Sequence, residues 1–421
     1  MMKIFKRFRR PLLHMVWIGC LSSLSMVAIA EVRALTAVFR PDPNHPQQNT
    51  FTNTTPNQGF CLSYPDICTA NNMFSVRIPN IFKTKHGPIQ PDHTDPRAGA
   101  MIKAPADWRE LTVRNAVTNE VETLEVRIAG VGGVYDLSDS VMDLTGEPNL
   151  MEGHRALWEG SDWSSAQSPC RAIGPLSYYG SMGFQFFWLM PTPTICAKKA
   201  KYLIPGLGYR YVDISYELRT PNPLGMSTGA YVGSTVYTVG PSSDLDFGDI
   251  LLPDDNILQL DFTLTVEHTL KIDIPPGGNT VELVPQGGWQ SWLQNGRKPT
   301  RLFRDQTFNI STSSRFKMQM ECQYSQDGNT CSLYEPVSGH AVPLNISVSL
   351  PHGLTDAGGQ AVNRLPLSRI EDQVFQPGFY VDRKPGTLHF EITPNVVDDM
   401  VQPGQTRHYS GNVTVIWDSE V

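Results

Sequence analysis

The amino-acid sequence predicts an all-β fold, in which short strands are joined by tight turns. Glycine and proline are abundant, at 34 and 33 of 421 residues, which suits frequent turns better than long helices. Several segments alternate apolar and polar residues, as strands with one buried face do, and no long segment has apolar residues at helical spacing. A composition of 40% apolar and 18% charged residues indicates a globular protein with a core.

The first 30 residues predict an export signal. Five basic residues among the first ten precede a mostly apolar run, and Ala28-Ile29-Ala30 is a small-residue cleavage site. We expect the mature chain to begin at Glu31 in the periplasm; a retained membrane anchor and a lipoprotein at Cys20 are the alternatives. After cleavage the chain keeps 29 of its 34 basic residues against 41 acidic ones, and a net charge of −12 argues against nucleic-acid binding.

The number of cysteines also fits an exported protein. Besides Cys20 there are six, and an even number in a secreted chain predicts three disulfides. Six cysteines allow fifteen connectivities. Nearest-neighbour pairing is favoured because each bridge then closes one local region: Cys61 with Cys68, Cys170 with Cys196, and Cys322 with Cys331. No spacing fits zinc or calcium ligands, so we predict neither a metal nor a cofactor.

Strand segments and long loops share the N-terminal part of the chain. Residues 31–60 are rich in Asn, Thr and Pro and predict an irregular lead-in, and residues 145–183 predict a loop. Residues 184–190 (FQFFWLM) are apolar throughout, as in a strand buried on both faces. Residues 211–219 (YVDISYELR) alternate, which predicts a buried apolar face and a solvent face formed by Asp213, Ser215, Glu217 and Arg219.

An acidic, turn-rich segment at residues 241–256 predicts a domain boundary, which we place at a linker of residues 254–256. Six or seven alternating segments follow, and their number and spacing match one immunoglobulin-like sandwich. The predicted organisation is a signal peptide (1–30), an N-terminal domain (31–253) and a C-terminal domain (257–421), the two domains being tandem β-sandwiches.

The last segment, Pro403–Val421, opens on a turn and then alternates. Its apolar face carries Tyr409, Val413, Val415 and Trp417, and the opposite face is mostly polar. A strand with an apolar face is not stable alone, so we expect this one to close the core of a sandwich or barrel.

Several motifs follow one another in a particular order along residues 58–421. They are FCLS with a second Cys shortly after it, two cysteines in mid-domain, CQYSQDG from Cys322 to Gly328, SVSLPHGLTDAGGQAVN, and the final PGQTRHYSGNVTVIWD. In this order the chain resembles the two-domain tip adhesins and pilus-assembly initiators of the colonisation-factor fimbriae, a family also described as CblD-like.

The resemblance implies two sandwiches with different tasks. An N-terminal adhesin domain would bind a host-cell glycan or glycoprotein, and a C-terminal pilin domain would be an incomplete immunoglobulin-like fold that lacks one strand. Tyr409, Val413, Val415 and Trp417 would border the open groove. A periplasmic chaperone would fill that groove until, at the outer-membrane usher, the N-terminal extension of the major pilin subunit replaces it. The protein would then stand at the extracellular tip of a fimbria.

For receptor binding, the resemblance points to Arg219. Family members hold an acidic sugar with arginines of the adhesin domain, and Arg219 matches one of them. Leu218 replaces the arginine that precedes it in the family, and residues 56–58 have no basic residue where a further arginine is expected. The alternative is that Arg219 pairs across strands with Asp213 or Glu217.

Two loop tryptophans are further candidates for receptor binding. Trp158 and Trp163 lie in a polar segment near Arg155, where they would stack on the face of a sugar. The alternative is that both rings anchor the loop to the core.

Three classes of function follow from these patterns: a fimbrial tip adhesin, a non-adhesive tip subunit that starts the fibre, and a secreted carbohydrate-active enzyme. A glycosidase needs two carboxylates facing each other across a cleft, and the sequence marks no such pair. It also lacks G-x-S-x-G, H-E-x-x-H and Cys–His motifs. We therefore predict a tip adhesin without enzymatic activity.

Overall fold

The computed structural model describes residues 32–174, 179–296, 298–402 and 406–419. The predicted signal peptide lies outside these residues, as do five residues of the predicted terminal segment. Strands dominate the described chain and pack as sandwich-like sheets around two main apolar cores, so the all-β prediction is confirmed. No described helix is both long and apolar enough to cross a membrane.

Most strands of the first part of the chain belong to one large sheet, and two form a separate pair. In chain order these strands are β1 (Val32–Phe39), β2 (Thr52–Asn53), β3 (Phe74–Ile78), β4 (Phe82–Thr84), β5 (Ala100–Lys103), β6 (Arg109–Asn115), β7 (Val121–Leu137), β8 (Arg171–Ala172), β9 (Gly183–Leu189), β10 (Ile195–Lys198), β11 (Leu207–Arg219), β12 (Gly229–Thr238), β13 (Leu251–Pro253) and β14 (Ile257–Val266). The separate pair is β5 with β10.

Strand β7 is the centre of the large sheet. On one side it pairs with β11, and on the other side β6 pairs with its beginning and β9 with its end. Two glycines permit this close arrangement. A Cβ at Gly132 would lie 2.3 Å from the Phe187 ring, and one at Gly133 would lie 2.2 Å from the carbonyl oxygen of Tyr211. Any larger residue at either position would push the neighbouring strands away.

The large sheet is covered on both faces near its centre. A small cluster around the Cys61–Cys68 disulfide packs outside the main core. Asp213 and Ser215 of β11, which were predicted to face solvent, are only 2% and 0% exposed, so that prediction is wrong. The buried Asp213 carboxylate is compensated by Arg77, whose Nε donates to it at 2.8 Å.

The second core lies between two sheets formed by the rest of the chain. Their strands are β15 (Leu270–Asp273), β16 (Val284–Pro285), β17 (Leu302–Thr312), β18 (Phe316–Cys322), β19 (Cys331–Glu335), β20 (His340–Ser349), β21 (Leu354–Asp356), β22 (Leu365–Pro366), β23 (Gln373–Pro377), β24 (Val381–Ile392) and β25 (Val413–Ser419). One sheet has the order β15–β17–β24–β20–β19, with β16 beside β17 and β22 beside β20. The other has the order β21–β23–β18–β25.

The helices are short and lie between strands. They are α1 (Phe60–Ser63), α2 (Pro65–Ala70), α3 (Val141–Thr145), α4 (Leu150–Leu157), α5 (Gln290–Asn295) and α6 (Pro394–Met400). Helix α4 falls within residues 145–183, which were predicted to form a loop. It begins where the Asn149 side chain accepts a hydrogen bond from the Glu152 backbone N–H.

Strand β1 lies in the segment that was predicted to be an irregular lead-in. It pairs in parallel with β14 along its whole length, and Leu35, Ala37 and Phe39 lie in the first core. The alternation VRALTAVF within residues 32–39 accounts for the strand, whereas the Asn- and Pro-rich composition belongs to the residues after it.

Strand β14, which was expected to begin the second domain, belongs to the first sheet. It lies between β12 and β1, and alternate side chains along it are buried in the first core. The second core begins at β15. The change of core therefore falls at residues 267–269 instead of 254–256, and we define a first domain (32–266) and a second domain (270–419).

Each of the three disulfides joins neighbouring cysteines in the chain. The bonds are Cys61–Cys68 and Cys170–Cys196 in the first domain and Cys322–Cys331 in the second. Among the described residues no bridge links the two domains, so each bridge restricts the conformations of the unfolded chain in its own domain.

A fragment that ends at residue 253 lacks β14, and we expect it to lose the fold of the first domain. Removing a strand that has two hydrogen-bonded neighbours uncovers the core and leaves two new edges. A fragment of residues 32–268 keeps β14, and we expect it to unfold cooperatively on heating. Circular dichroism during heating compares the two fragments, and equal cooperative transitions would contradict this placement of β14.

Candidate functional site

The second domain has an open edge at strand β25. One side of β25 pairs with β18, from Ser419 opposite Phe316 to Val413 opposite Cys322. Within the ranges that the structure describes, no strand pairs with its other side. That side presents a row of backbone N–H and C=O groups to which a further strand can bind.

An apolar groove with a volume of about 380 Å³ runs beside this open edge. Val413, Val415 and Trp417 alternate along β25 and line the groove, which also reaches Leu388 and Phe390 on β24 of the other sheet. Because side chains of both sheets border it, the groove is a gap in the packing between the two sheets of the sandwich.

Two aromatic contacts hold one wall of the groove in place. The ring centroid of Trp417 lies 4.8 Å from that of Phe308 and 6.0 Å from that of Phe316. Residues 274–283, which follow β15, supply part of the remaining lining. Tyr409, the fourth residue predicted for this groove, precedes β25 and is not among the lining residues. Its hydroxyl lies 2.7 Å from His340 Nδ1.

Arg219 lies at the end of β11 with an exposed side chain. Its NH1 is 3.6 Å from the Glu125 carboxylate on the opposite strand, and its guanidinium carbon is 4.0 Å from the ring centroid of Trp108. Neither predicted partner contacts Arg219: Glu217 pairs with Arg127, and Asp213 pairs with Arg77. Arg219 and Trp108 form a half-exposed cation–π pair.

Trp158 and Trp163 are core residues, which contradicts the prediction that they stack on a sugar. They are 1% and 0% exposed. Trp158 Nε1 donates to the Tyr135 hydroxyl at 3.2 Å, and that hydroxyl donates to His154 Nδ1 at 2.7 Å. Burial lowers the pKa of His154, which keeps the ring neutral and able to accept. Neither tryptophan has a face open to a ligand.

Arg155, the remaining candidate for receptor binding, is exposed beside a buried acid. Its Nε lies 3.4 Å from the carboxylate of Asp162, which is 2% exposed. The structure therefore does not bring the four candidates together: two are buried, and Arg155 and Arg219 each pair with a carboxylate. Within the described ranges, no group of three or more His, Cys, Asp or Glu side chains is arranged to hold a metal ion.

A serine–histidine–aspartate series lies across three strands of the second domain, and the sequence motifs missed it. His389 Nδ1 is 2.7 Å from Asp305, and its Nε2 is 2.9 Å from the Ser349 hydroxyl. That hydroxyl also accepts from the Arg364 backbone N–H at 2.9 Å. None of the three residues lines the groove beside β25, and we interpret the series as a cross-strand hydrogen-bond network.

No known protein-family profile matches the chain, and no curated protein matches it. Superposition on solved structures returns fimbrial proteins at low similarity. CfaE, the adhesive subunit of the CFA/I fimbria of enterotoxigenic Escherichia coli, has 9% sequence identity and a TM-score of 0.27, and the alignment covers 93% of each chain.

Two chaperone complexes are similar to the chain at the same low level. A chaperone–tip adhesin complex of CFA/I fimbriae biogenesis has 8% identity and a TM-score of 0.25, with 92% of this chain and 96% of that chain covered. The CsuC–CsuE chaperone–tip adhesion subunit complex from archaic Csu pili of Acinetobacter baumannii has 8% identity and a TM-score of 0.21, with 92% and 98% covered. Superpositions this loose carry no argument about function.

Replacing Trp163 by Ala is expected to lower the free energy of unfolding by about 3–5 kcal/mol, because a wholly buried indole is removed from the core. Trp289→Ala is the matched control, since Trp289 is 37% exposed and its loss is expected to cost much less. Denaturant titration of both variants measures the difference. A Trp163→Ala variant as stable as the parent would show that the ring is not a core anchor.

Proposed function

We propose that this protein is the tip subunit of a chaperone–usher fimbria, in which the second domain accepts a strand from another protein and the first domain binds a host-surface receptor. The observation that carries this proposal is the apolar groove along the open edge of β25. The groove and the edge lie on the same strand, so one occupant has to fill both.

A β-strand is the occupant that suits both features. A compact apolar ligand would fill the groove but leave the N–H and C=O groups of β25 without partners. An extended peptide pairs with those groups and directs every second side chain between Val413, Val415 and Trp417. The proposed partners are therefore a periplasmic chaperone and, at the outer-membrane usher, the N-terminal extension of the major pilin.

The placement of β1 supports a subunit that accepts a strand without donating one. Residues 32–39 pair along their whole length with β14, and three of their side chains lie in the first core. This segment would have to leave the first sheet before it could complement another subunit. A subunit that accepts a strand and gives none belongs at the tip of a fibre, outside the cell.

Receptor binding is proposed for the first domain. Arg219 and Trp108 offer a planar cation beside an aromatic ring on the surface, a combination that suits a polar, partly apolar ligand such as a glycan. The alternative, a tip subunit that starts the fibre and binds no receptor, shares every feature of the second domain. A binding measurement therefore has to separate the two.

Replacing Val415 by Asp is expected to abolish strand binding, because the substitution places a charge in the apolar groove. Thr414→Asp is the matched control, since Thr414 is exposed on the same strand. The measurement is the thermal stability of the full chain in the presence of a peptide that corresponds to the N-terminal extension of the major pilin. At a peptide concentration 100 times Kd, the parent gains about 2.7 kcal/mol. An equal gain for Val415→Asp would exclude the groove as the acceptor.

Replacing Arg219 by Ala is expected to weaken binding of the full chain to its receptor on a glycan and host-cell panel by about tenfold, as loss of a charged hydrogen bond does. Lys83→Ala, at another exposed position of the first domain, is the control. Unchanged binding by Arg219→Ala would exclude the Arg219 surface. A folded parent that binds nothing on the panel would favour the non-adhesive tip subunit.

A further inference from the structure

A polar pocket with a volume of about 510 Å³ lies in the first domain. Its walls come from residues 93–96, from residues 159–167 after α4, and from the end of β10. The disulfide Cys170–Cys196 connects the second wall to the third, so the covalent structure limits how far these walls can separate. A volume of this size is within the usual range for a small-ligand site, about 300–1,000 Å³.

Lys198 is the most buried residue that lines the pocket, at 5% exposed. Its Nζ donates to the Ser161 carbonyl oxygen at 3.2 Å and to the Ser165 hydroxyl at 3.0 Å. Both acceptors are uncharged, and no carboxylate in the described part of the chain forms an ion pair with Lys198. The nearby Asp162 is already paired with Arg155.

A buried ammonium without a counter-charge is costly. Desolvation lowers the pKa of Lys198 to about 8, although the charge of Asp162 acts in the opposite direction. At neutral pH the group is still mostly charged, and two of its three N–H donors are used. An anion that enters the pocket would take the third donor and offset the desolvation, and charged groups in such surroundings are concentrated at functional sites.

The donors of the pocket suit a tetrahedral oxyanion better than a planar carboxylate. Carboxylates are matched by the flat guanidinium fork of arginine, whereas lysine binds phosphate-like groups as a point charge. No arginine is among the lining residues. Three further donors line the pocket beside Lys198: the ammonium of Lys199, the hydroxyl of Thr94 and the amide of Gln167.

The rim of the pocket suits the hydroxyl groups of a sugar. Thr94 and Gln167 can donate and accept hydrogen bonds, and Glu159 can accept them. Glu159 is 64% exposed and lies 3.7 Å from Lys199 Nζ, and Asp92 is 78% exposed and 3.8 Å from the same atom. Lys199 and water therefore reduce the repulsion that these two acids exert on an incoming anion.

We propose that this pocket binds a saccharide through a sulfate or phosphate ester, with Lys198 Nζ as the cation that contacts the ester. The assignment deepens the receptor-binding role proposed for the first domain and rests on that role for its biological meaning. This pocket is a second candidate site, separate from the Arg219 surface, and the proposal names the class of ligand that it binds.

Calorimetric titration of the full chain with glucose 6-sulfate and glucose 6-phosphate tests the proposal. Glucuronate, with a planar charge, and glucose, with none, are the matched ligands. At least one ester is expected to bind more tightly than both glucuronate and glucose. The ester that binds more tightly shows whether the site prefers a sulfate or a phosphate. Equal or tighter binding of glucuronate or glucose, or no binding of either ester by the folded protein, would overturn the proposal.

Lys198→Met separates a ligand role from a structural one. We expect ester binding to fall by more than about tenfold, because a charged hydrogen bond is lost. We also expect an unchanged or higher Tm, because a buried unpaired charge is removed. Lys201→Met, at an exposed position nearby, is the control and should bind as the parent does. A Lys198→Met variant that binds the ester as tightly as the parent would refute the site.

Lys199→Met provides a second measurement if Lys198→Met does not fold. It removes the second ammonium that lines the pocket and offsets Glu159 and Asp92, so we expect weaker ester binding; unchanged affinity would count against the proposal. Val415→Asp, which disables the groove of the second domain, is expected to bind the ester normally. Failure of the strand-acceptor role and failure of this pocket are therefore distinguishable.

Discussion

The second domain depends on a core that its own strands leave partly uncovered. Side chains of both sheets converge on the space beside β25, and Val413, Val415 and Trp417 are only half-buried there. Apolar surface costs roughly 25 cal/mol for each Å² left in water, and the open edge adds backbone groups without strand partners. Under the proposed function, one strand added by a partner removes both costs, which would tie the stability of this domain to that partner.

The first domain has a core that its own segments cover. Its sheet is covered on both faces near β7, and the glycines at positions 132 and 133 let neighbouring strands approach closely. One disulfide joins α1 to α2, and the other joins the segment before β8 to β10. Tyr135, His154 and Trp158 are joined by hydrogen bonds inside a buried aromatic cluster. Such a scaffold positions surface groups without help from a partner.

Alternation of apolar residues predicted many of the strands, though not β1, and it did not predict the sheet to which each strand belongs. The pattern of β14 is the same whether it borders the first core or the second, and only its pairing with β1 and β12 decides. The same limit applies to Asp213 and Ser215. Their polar character indicated a solvent face, but the segment around the first disulfide, distant in sequence, packs over them.

The candidate sites show the same division between local and long-range information. The apolar face of β25 could be predicted because all of its residues belong to one strand. Trp163 and Lys198 could not be placed, because burial depends on segments far away in the chain. A tryptophan in a polar stretch and a lysine two residues after a cysteine have no local signal that distinguishes a core residue or a pocket residue from a surface one.

The placement of β14 also has a mechanical consequence. This strand leads through residues 267–269 into the second domain, and it pairs with β12 on one side and with β1 on the other. The bonds of a ladder run across the strands, so a pull along β14 loads many of them together instead of opening them one after another. Force transmitted between the two domains therefore acts in shear on the hydrogen bonds that join β14 to β1 and to β12. The ion pair between Arg40 and Glu267 lies at the end of β14 where that force enters the sheet.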